Sequence, residues 1–190
     1  SLGGHKNEDI DWADLIIKNP TIKPGNLYID YAQKSGKKVE QDMGIFLQYV
    51  RPEQIIGVTG TKGKSTTSSL IYDLLKNIGK GAVLAGNIGT SVLNTIPIVK
   101  KDTLVVLEIS SFQLESFEAK RISPKWAVIT NITPDHLNYY SSMNEYVAAK
   151  KIIAKYQTPA DYLILRKNDP VTTKAEFLSG LKGQIIYFSK

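Results

Sequence analysis

A glycine-rich segment with two lysines and three hydroxyl side chains stands between an apolar run and an amphipathic stretch. Its sequence is Gly60-Thr61-Lys62-Gly63-Lys64-Ser65-Thr66. Glycines permit the tight turn that points backbone N–H groups at phosphate oxygens, Lys64 adds a positive charge, and the Ser65 hydroxyl is a ligand for magnesium. Val58 stands where the strict form of such loops has glycine. We therefore predict a variant nucleotide phosphate loop; a helix merely capped by Ser65 would leave the Gly-Lys-Ser order unexplained.

Two further polar side chains follow later apolar runs. Glu108 ends the run 104–107, and His136 lies shortly after the run 126–129. The carboxyl ends of parallel strands form the edge of a sheet where ligands bind, so Glu108 can hold magnesium beside the phosphate loop. A neutral imidazole can join oxygen ligands around a second cation, which makes His136 a candidate metal ligand.

Lys150 is the third candidate. On a helix predicted over 143–156 it shares an apolar stripe with Tyr146 and Ile153 at spacings of three and four residues. An unpaired buried charge is costly, so an inward lysine is expected to be paired, modified or functional, unless it snorkels to the surface. Lys151, about 100° further around the helix, is predicted to be a solvated charge.

The elements that must position these residues follow a regular alternation from residue 54 onward. Short apolar runs alternate with amphipathic stretches, which predicts a mostly parallel sheet with helices on both faces in an α/β fold. The predicted strands are 55–58, 81–84, 104–107, 126–129, 162–165 and 185–188. The predicted helices are 66–78, one into which the segment 110–115 continues, 143–156 and about 173–181.

The first 53 residues have a weaker pattern. It predicts a strand at 15–17, a helix over 27–34, a short strand at Val39 and a helix over 44–50, typical of part of a smaller Rossmann-like α/β domain that has been cut within the domain. Pro52 stops the preceding helix, so the joint is placed at 51–54. The domains are predicted as 1–53 and 54–190, the second incomplete at its end.

The composition excludes several classes of protein. A chain of 190 residues with 42% hydrophobic and 22% charged residues falls in the globular range, and its apolar runs are far shorter than a membrane span. Ser1 to His5 carry no secretory signal, which predicts a cytoplasmic location. The absence of cysteine leaves oxygen or imidazole as metal ligands. The net charge of +6 is spread without arginine clusters, which favours phosphate ligands over nucleic acid as a partner.

Taken together, these segments resemble the Mur ligase family, and within it the MurD type that adds D-glutamate. The loop 60–66 is similar to the family's ATP motif, and 86–89 (Gly-Asn-Ile-Gly) to its substrate-side loop. The segment 107–115 (Leu-Glu-Ile-Ser-Ser-Phe-Gln-Leu-Glu) resembles the signature of the D-glutamate-adding member, and 131–136 and 146–150 complete the series in order. Asn138 departs from the family, which commonly has aspartate there.

The resemblance implies roles for individual residues. Gly60 to Thr66 would bind ATP, and Ser65 and Glu108 would hold one Mg²⁺. Lys64, His136 and Lys150 would be the catalytic residues. Glu108, His136 and a carbamylated Lys150 would serve a second ion. Asn87, Ser110 and His136 would contact the muramoyl-alanine part of UDP-N-acetylmuramoyl-L-alanine, and residues 1–53 would be part of the uridine-nucleotide domain.

The reaction implied is the formation of an acyl phosphate from ATP and the substrate carboxylate, followed by attack of the D-glutamate amine. A monomer without membrane or nucleic-acid partners is expected. The family's third domain, which binds the amino acid, has no counterpart in the sequence, so the chain by itself is expected not to ligate. Two alternatives stay open: a Mur-type ligase for another amino acid, and a nucleotide-binding switch domain, which would have no need of a carbamylated Lys150.

Overall fold

The computed structural model describes residues 4–189, so the prediction on Ser1 to Gly3 and the last residue of the predicted second domain lie outside the described residues. The strands are β1 (Leu15–Ile17), β2 (Lys38–Glu40), β3 (Ile55–Thr59), β4 (Ala82–Gly86), β5 (Leu104–Glu108), β6 (Trp126–Ile129), β7 (Tyr162–Arg166) and β8 (Gln184–Phe188). The α-helices are α1 (Asn7–Trp12), α2 (Leu27–Lys34), α3 (Asp42–Phe46), α4 (Lys64–Asn77), α5 (Val92–Thr95), α6 (Leu114–Lys120), α7 (Met143–Lys155) and α8 (Ala175–Leu178), and short 3₁₀ turns cover Pro52–Gln54 and Ile96–Ile98.

Six strands form one parallel sheet in the order β4-β5-β3-β6-β7-β8. The chain moves from β3 to β4 in one direction along the sheet, and from β4 onward it moves in the opposite direction. Because crossovers between parallel strands are right-handed, this reversal places α4 on one face and α5 to α8 on the other. The packing agrees, since α6 contacts both α3 and α7, and α4 contacts β3, β4 and β5. The predicted parallel sheet with helices on both faces is confirmed.

The core lies between this sheet and the helices of the α6 and α7 face. Its strand residues are apolar on both faces, as expected of strands covered on two sides. Fully buried members include Ile55, Val105, Leu107, Ala127, Ile129 and Leu163. Gly57 in the central strand has no room for a side chain, because Pro124, Ile109 and Ile153 close over it.

All predicted strands are present, but some helices differ from the predictions. The helix predicted over 44–50 spans Asp42–Phe46, and 47–50 form hydrogen-bonded turns that end with Val50 N–H donating to the Phe46 carbonyl at 3.2 Å. The helix predicted at about 173–181 is the four-residue α8. Helices α1 and α5 were not predicted, because segments of six and four residues are too short for a helical period to show.

The N-terminal segment forms a small unit in which β1 and β2 pair in parallel, with α1 and α2 beside them. Helix α3 does not belong to the packing of this unit. Met43, Phe46, Leu47 and Val50 are part of the core of the large sheet, and α3 contacts α5 and α6. The change in packing therefore falls near Gln41, ahead of the predicted joint at 51–54, and the division at 53/54 stays a prediction.

Across residues 4–189, no helix is both long and apolar enough to pass through a lipid bilayer.

Candidate functional site

The loops that follow β3, β4, β5 and β6 meet at the carboxyl edge of the sheet. These four strands are neighbours, and β3 is the strand from which the chain first crosses to the α4 face before reversing. Such a reversal opens a crevice at the strand ends, the usual ligand position in open α/β sheets. The segments predicted to carry chemistry are those same loops, so the topology brings distant parts of the chain to one place.

The phosphate loop joins β3 to α4, and two of its glycines have backbone conformations that suit glycine. Gly60 has φ 145°, and a Cβ there would collide with the Thr130 hydroxyl. Gly63 has φ 83° and is the N-cap of α4. Lys64, Ser65 and Thr66 form the first turn of α4, whose N–H groups lack intrahelical acceptors. The loop therefore has the conformation of an anion site, although its sequence departs from the strict pattern at Val58.

Lys64 and Lys150 donate hydrogen bonds to the same atom. Both Nζ atoms reach the Gly60 carbonyl oxygen, at 3.0 Å and 2.9 Å, and Lys64 also donates to the Thr61 carbonyl at 3.0 Å. Lys150 is 2% exposed and lies over the Tyr146 ring, 4.7 Å from its centroid. It does not snorkel to the surface.

Burial and the neighbouring Lys64 charge lower the pKa of Lys150 to about 7, while Asp135 opposes this weakly. A substantial fraction of the Lys150 amine is therefore unprotonated near neutral pH. Lys151, predicted to be a solvated charge, is partly exposed. Its Nζ also donates to the Ser179 carbonyl at 2.7 Å, because the carbonyls at the end of α8 need a donor.

Glu108 lies at the end of β5 with its side chain directed to the loop after β4. Its Oε1 accepts from Asn87 Nδ2 at 3.0 Å, and its carbonyl accepts from Asn87 N–H at 2.9 Å. Its Oε2 is buried without a hydrogen-bond partner in the structure. A buried ionised oxygen without a partner is unfavourable unless a ligand satisfies it.

His136 follows β6 in a left-handed backbone conformation, φ 52°, at the start of a turn in which Tyr139 and Tyr140 N–H donate to its carbonyl. Its ring lies 5.0 Å from Phe112 and 6.0 Å from Tyr146, centroid to centroid. The imidazole is 44% exposed, and its Nε2 is 3.7 Å from the Asp135 carboxylate. Aromatic packing on one side thus holds the ring at the surface of the site.

A cleft of about 420 Å³ lies at this edge of the sheet. Lys64, Asn87, Ser110 and His136 line it from the large sheet, and Asn19 and Thr21 line it from the N-terminal unit. Glu108 lies behind Asn87 and Lys150 lies beneath the phosphate loop, so neither lines the cleft. Ser65 and Thr66 are exposed at the start of α4, outside the lining of the cleft.

Ser110 is positioned by a residue that the sequence did not single out. Gln113 Oε1 accepts from Ser110 N–H at 3.0 Å and from its hydroxyl at 3.1 Å. Tyr146 is another residue that the sequence did not single out. It is fully buried, and its hydroxyl is 3.2 Å from the Thr61 hydroxyl of the phosphate loop. Its position four residues before Lys150 was the available signal, but the apolar stripe made it look like an ordinary core residue.

Within residues 4–189, no cluster of three or more His, Asp or Glu side chains is placed to hold a metal ion. The predicted metal ligands include only one carboxylate and one imidazole, Glu108 and His136. A cation here would need ligands of another kind, such as hydroxyl, phosphate or a modified lysine.

Comparisons with known proteins give one family. The model of the Mur ligase middle domain matches residues 58–190. The UDP-N-acetylmuramoylalanine–D-glutamate ligase of Roseiflexus sp. (strain RS-1) is 36% identical over 188 residues, which covers 99% of this chain and 40% of that protein. The enzyme of the same name from Acetivibrio thermocellus is 39% identical over 190 residues, covering 100% of this chain and 40% of that protein. The chain thus spans about 40% of the length of these relatives.

Solved structures share the fold. The UDP-N-acetylmuramate:L-alanyl-gamma-D-glutamyl-meso-diaminopimelate ligase from Neisseria meningitides aligns with a TM-score of 0.68 at 17% identity, over 96% of this chain and 60% of that one. MurF ligase from Thermotoga maritima in complex with ADP aligns with a TM-score of 0.60 at 20% identity, over 93% of this chain and 47% of that one. At such identities the likeness shows the fold alone.

Proposed function

The chain belongs to the Mur ligase family, and we propose that it is the nucleotide-binding part of an ATP-dependent ligase that adds D-glutamate to UDP-N-acetylmuramoyl-L-alanine. The observation that carries the proposal is the single cleft lined by Lys64, Asn87, Ser110 and His136, which come from the loops after four neighbouring strands. The names of the relatives at 36% and 39% identity support the choice of substrates. Their greater length means that the complete reaction is proposed for the whole protein.

ATP is the proposed nucleotide, held through its phosphates by Gly60 to Thr66. The first turn of α4 offers N–H groups to the phosphate oxygens, and the partial positive charge of the helix N-terminus adds to that of Lys64. The Lys64 ammonium donates to two loop carbonyls and can exchange them for phosphate oxygens. The Thermotoga maritima ligase that shares the fold was solved in complex with ADP, which supports an adenine nucleotide as the ligand.

Magnesium is the proposed metal, and the chemistry of the oxygen donors among these side chains supports it. The buried, unpartnered Oε2 of Glu108 is a hard anionic ligand, and the exposed Ser65 hydroxyl at the start of α4 is a second oxygen ligand. Glu108, His136 and carbamylated Lys150 are the proposed ligands of a second ion. When bound, the ions neutralise charge on the phosphates during phosphoryl transfer.

Carbamylation of Lys150 is proposed because the structure holds its amine buried, with a pKa lowered to about 7. The unprotonated nitrogen attacks the carbon of CO₂, forming an N–C bond, and one N–H proton leaves to solvent. The carbamate is an anion beside Lys64, so the charge repulsion between two ammonium groups becomes an attraction. This chemistry favours an enzyme over a nucleotide switch.

In the proposed reaction, a carboxylate oxygen of the substrate attacks the γ-phosphorus of ATP, and ADP leaves. The amine of D-glutamate then attacks the acyl carbon, and phosphate leaves. Lys64 stabilises the charge that develops on the transferred group. Asn87, Ser110 and His136 hold the muramoyl-alanine part of the substrate within the same cleft, so that its carboxylate is oriented toward the phosphate loop.

The proposal is tested by isothermal titration of the chain with Mg·ADP. The wild-type chain is expected to bind one ADP, and Lys64→Ala is expected to weaken binding by roughly 10- to 100-fold, since it removes a charged hydrogen-bond donor. Lys155→Ala is the matched control, because Lys155 lies at the C-terminal end of α7, where it pairs with Glu118 at 2.6 Å. Equal affinity of wild type and Lys64→Ala would refute nucleotide binding at this loop.

The cytoplasmic location, the monomeric state and the division into domains stay predictions.

A further inference from the structure

The segment that follows β6 holds the phosphate loop through one asparagine. The side-chain amide of Asn131 pairs with both main-chain groups of Lys62: Lys62 N–H donates to Oδ1 at 3.1 Å, and Nδ2 donates to the Lys62 carbonyl at 2.8 Å. Thr61 N–H donates to the Asn131 main-chain carbonyl at 2.9 Å. One residue thus satisfies three polar backbone groups at two successive positions of the loop.

The neighbours of Asn131 extend this contact on both sides. The Thr130 hydroxyl donates to the Lys62 carbonyl at 2.7 Å. The Thr61 hydroxyl donates to the Thr133 carbonyl at 3.1 Å and accepts from Thr133 N–H at 3.1 Å. We call residues 130–133 the clamp segment. It binds the first half of the phosphate loop through main chain and side chains together.

The clamp segment is itself held by a hydrogen bond to Asp169, which lies in the segment after β7. Ile132 N–H donates to Oδ2 of Asp169 at 3.2 Å, and Oδ1 of Asp169 accepts from Thr172 N–H at 2.8 Å. Asp169 is 2% exposed, so its carboxylate is buried where these hydrogen bonds form. The clamp segment therefore connects the exposed phosphate loop to a buried, hydrogen-bonded carboxylate.

This arrangement divides the loop into two halves. The N–H groups of Thr61 and Lys62 are used by Asn131, whereas those at the start of α4 lie where a helix leaves its donors without intrahelical acceptors. A loop containing Gly60 and Gly63 would otherwise sample many backbone conformations, because glycine is weakly restricted. Fixing residues 61 and 62 orients the following N–H groups before any nucleotide arrives.

We propose that Asn131 is a positioning residue for nucleotide binding: it acts through residues 61 and 62 to hold the phosphate loop in its binding conformation. This inference rests on the proposed function, because it takes nucleotide phosphate as the ligand. Asn131 itself does not touch the phosphates. Its effect appears as the fraction of molecules in which the loop is competent, and the apparent dissociation constant is inversely proportional to that fraction.

The test is titration of Mg·ADP into the wild-type chain, Asn131→Ala and Asn26→Ala. Asn26 is a matched control, since its Oδ1 also accepts from two backbone N–H groups, those of Tyr28 and Ile29, at the start of α2. We expect Asn131→Ala to raise the dissociation constant roughly tenfold, as loss of two net hydrogen bonds implies. Asn26→Ala is expected to lose thermal stability but keep the wild-type affinity.

A second measurement does not need nucleotide. Amide hydrogen exchange of Thr61 and Lys62 in the ligand-free chain is expected to be faster in Asn131→Ala and unchanged in Asn26→Ala. Should Asn131→Ala not fold, the isosteric Thr130→Val removes another donor to the same Lys62 carbonyl, and it is expected to weaken ADP binding about threefold.

The outcomes separate the two proposals. A wild-type chain that does not bind ADP overturns the proposed function and the positioning role together. Wild-type binding that is lost in Lys64→Ala but unchanged in Asn131→Ala overturns only the positioning role. Unchanged amide exchange at residues 61 and 62 in Asn131→Ala also overturns it.

Discussion

Replacing Lys150 with methionine is expected to stabilise the chain at neutral pH, and the gain is expected to vanish at high pH. Methionine has a similar shape, so the packing against Tyr146 is kept while the titrating group is removed. The Gly60 carbonyl still accepts from Lys64 at 3.0 Å in the absence of the Lys150 amine. The principal change is therefore the loss of a buried group that prefers its neutral form.

The magnitude follows from the pKa of Lys150, which burial and the Lys64 charge lower from 10.5 to about 7. Each pKa unit corresponds to about 1.4 kcal/mol, so the full effect is at most about 5 kcal/mol. At pH values between these two pKa values, Lys150 is protonated in the unfolded chain and unprotonated in the folded chain. The free energy of unfolding contributed by Lys150 therefore rises with pH through this window, by up to about 1.4 kcal/mol per pH unit.

Urea denaturation of both proteins in CO₂-free buffers from pH 7 to 10 measures this effect. The difference between variant and wild type cancels the contributions of titrating groups that do not interact with Lys150. Methionine is expected to be the more stable variant at pH 7, and the two curves are expected to converge toward pH 10. A stability difference that is constant across this range would refute the conclusion that Lys150 has a lowered pKa.

Bicarbonate adds a second test of the same residue. At pH 8 the unprotonated amine predominates, so added bicarbonate, as a source of CO₂, is expected to stabilise the wild-type chain by forming the carbamate. Lys150→Met is expected not to respond. An equal response of both proteins would mean that bicarbonate acts elsewhere.

Three further predictions concern the metal, the backbone and the activity. Glu108→Gln is expected to reduce the strengthening of ADP binding by Mg²⁺ about tenfold, because a neutral amide is a poorer ligand than a carboxylate; titrations with and without Mg²⁺ measure it, and an undiminished Mg²⁺ effect would exclude Glu108 as a ligand. Gly86→Ala is expected to destabilise the fold by about 2 kcal/mol or more in urea, because Gly86 has φ 104° and a Cβ there would collide with the Glu108 carbonyl; Gly81→Ala, which meets no atom within 4 Å, is the control, and equal effects would contradict the geometry. The chain alone is expected to release no phosphate in response to D-glutamate and UDP-N-acetylmuramoyl-L-alanine, and measurable release in a coupled phosphate assay would contradict this expectation.

The sequence by itself determined the sheet, and it indicated most of the residues proposed for the site. The strands were predictable because β3 to β8 are continuous apolar runs, the signal of parallel strands covered on both faces, although β8 is exposed along its whole length in the structure. The chemical groups were predictable where one residue type has a special property: glycine before Lys64, a carboxylate directly after a buried strand, and a lysine on an apolar helix face. The prediction of an inward Lys150 was confirmed by its 2% exposure.

Only the tertiary structure decided which residues, distant in the chain, form hydrogen bonds with one another. Asn131 and Lys62 are 69 positions apart in the chain, and Asn87 and Glu108 are 21 apart. No local period encodes these pairs, because the order of strands in the sheet, not the order in the chain, makes their loops neighbours. The same reason explains why Lys151, predicted as a solvated charge, also donates a hydrogen bond to the carbonyl of Ser179, 28 positions later in the chain. A sequence specifies side-chain chemistry and local conformation, whereas hydrogen bonds between distant loops exist only once the sheet has assembled them.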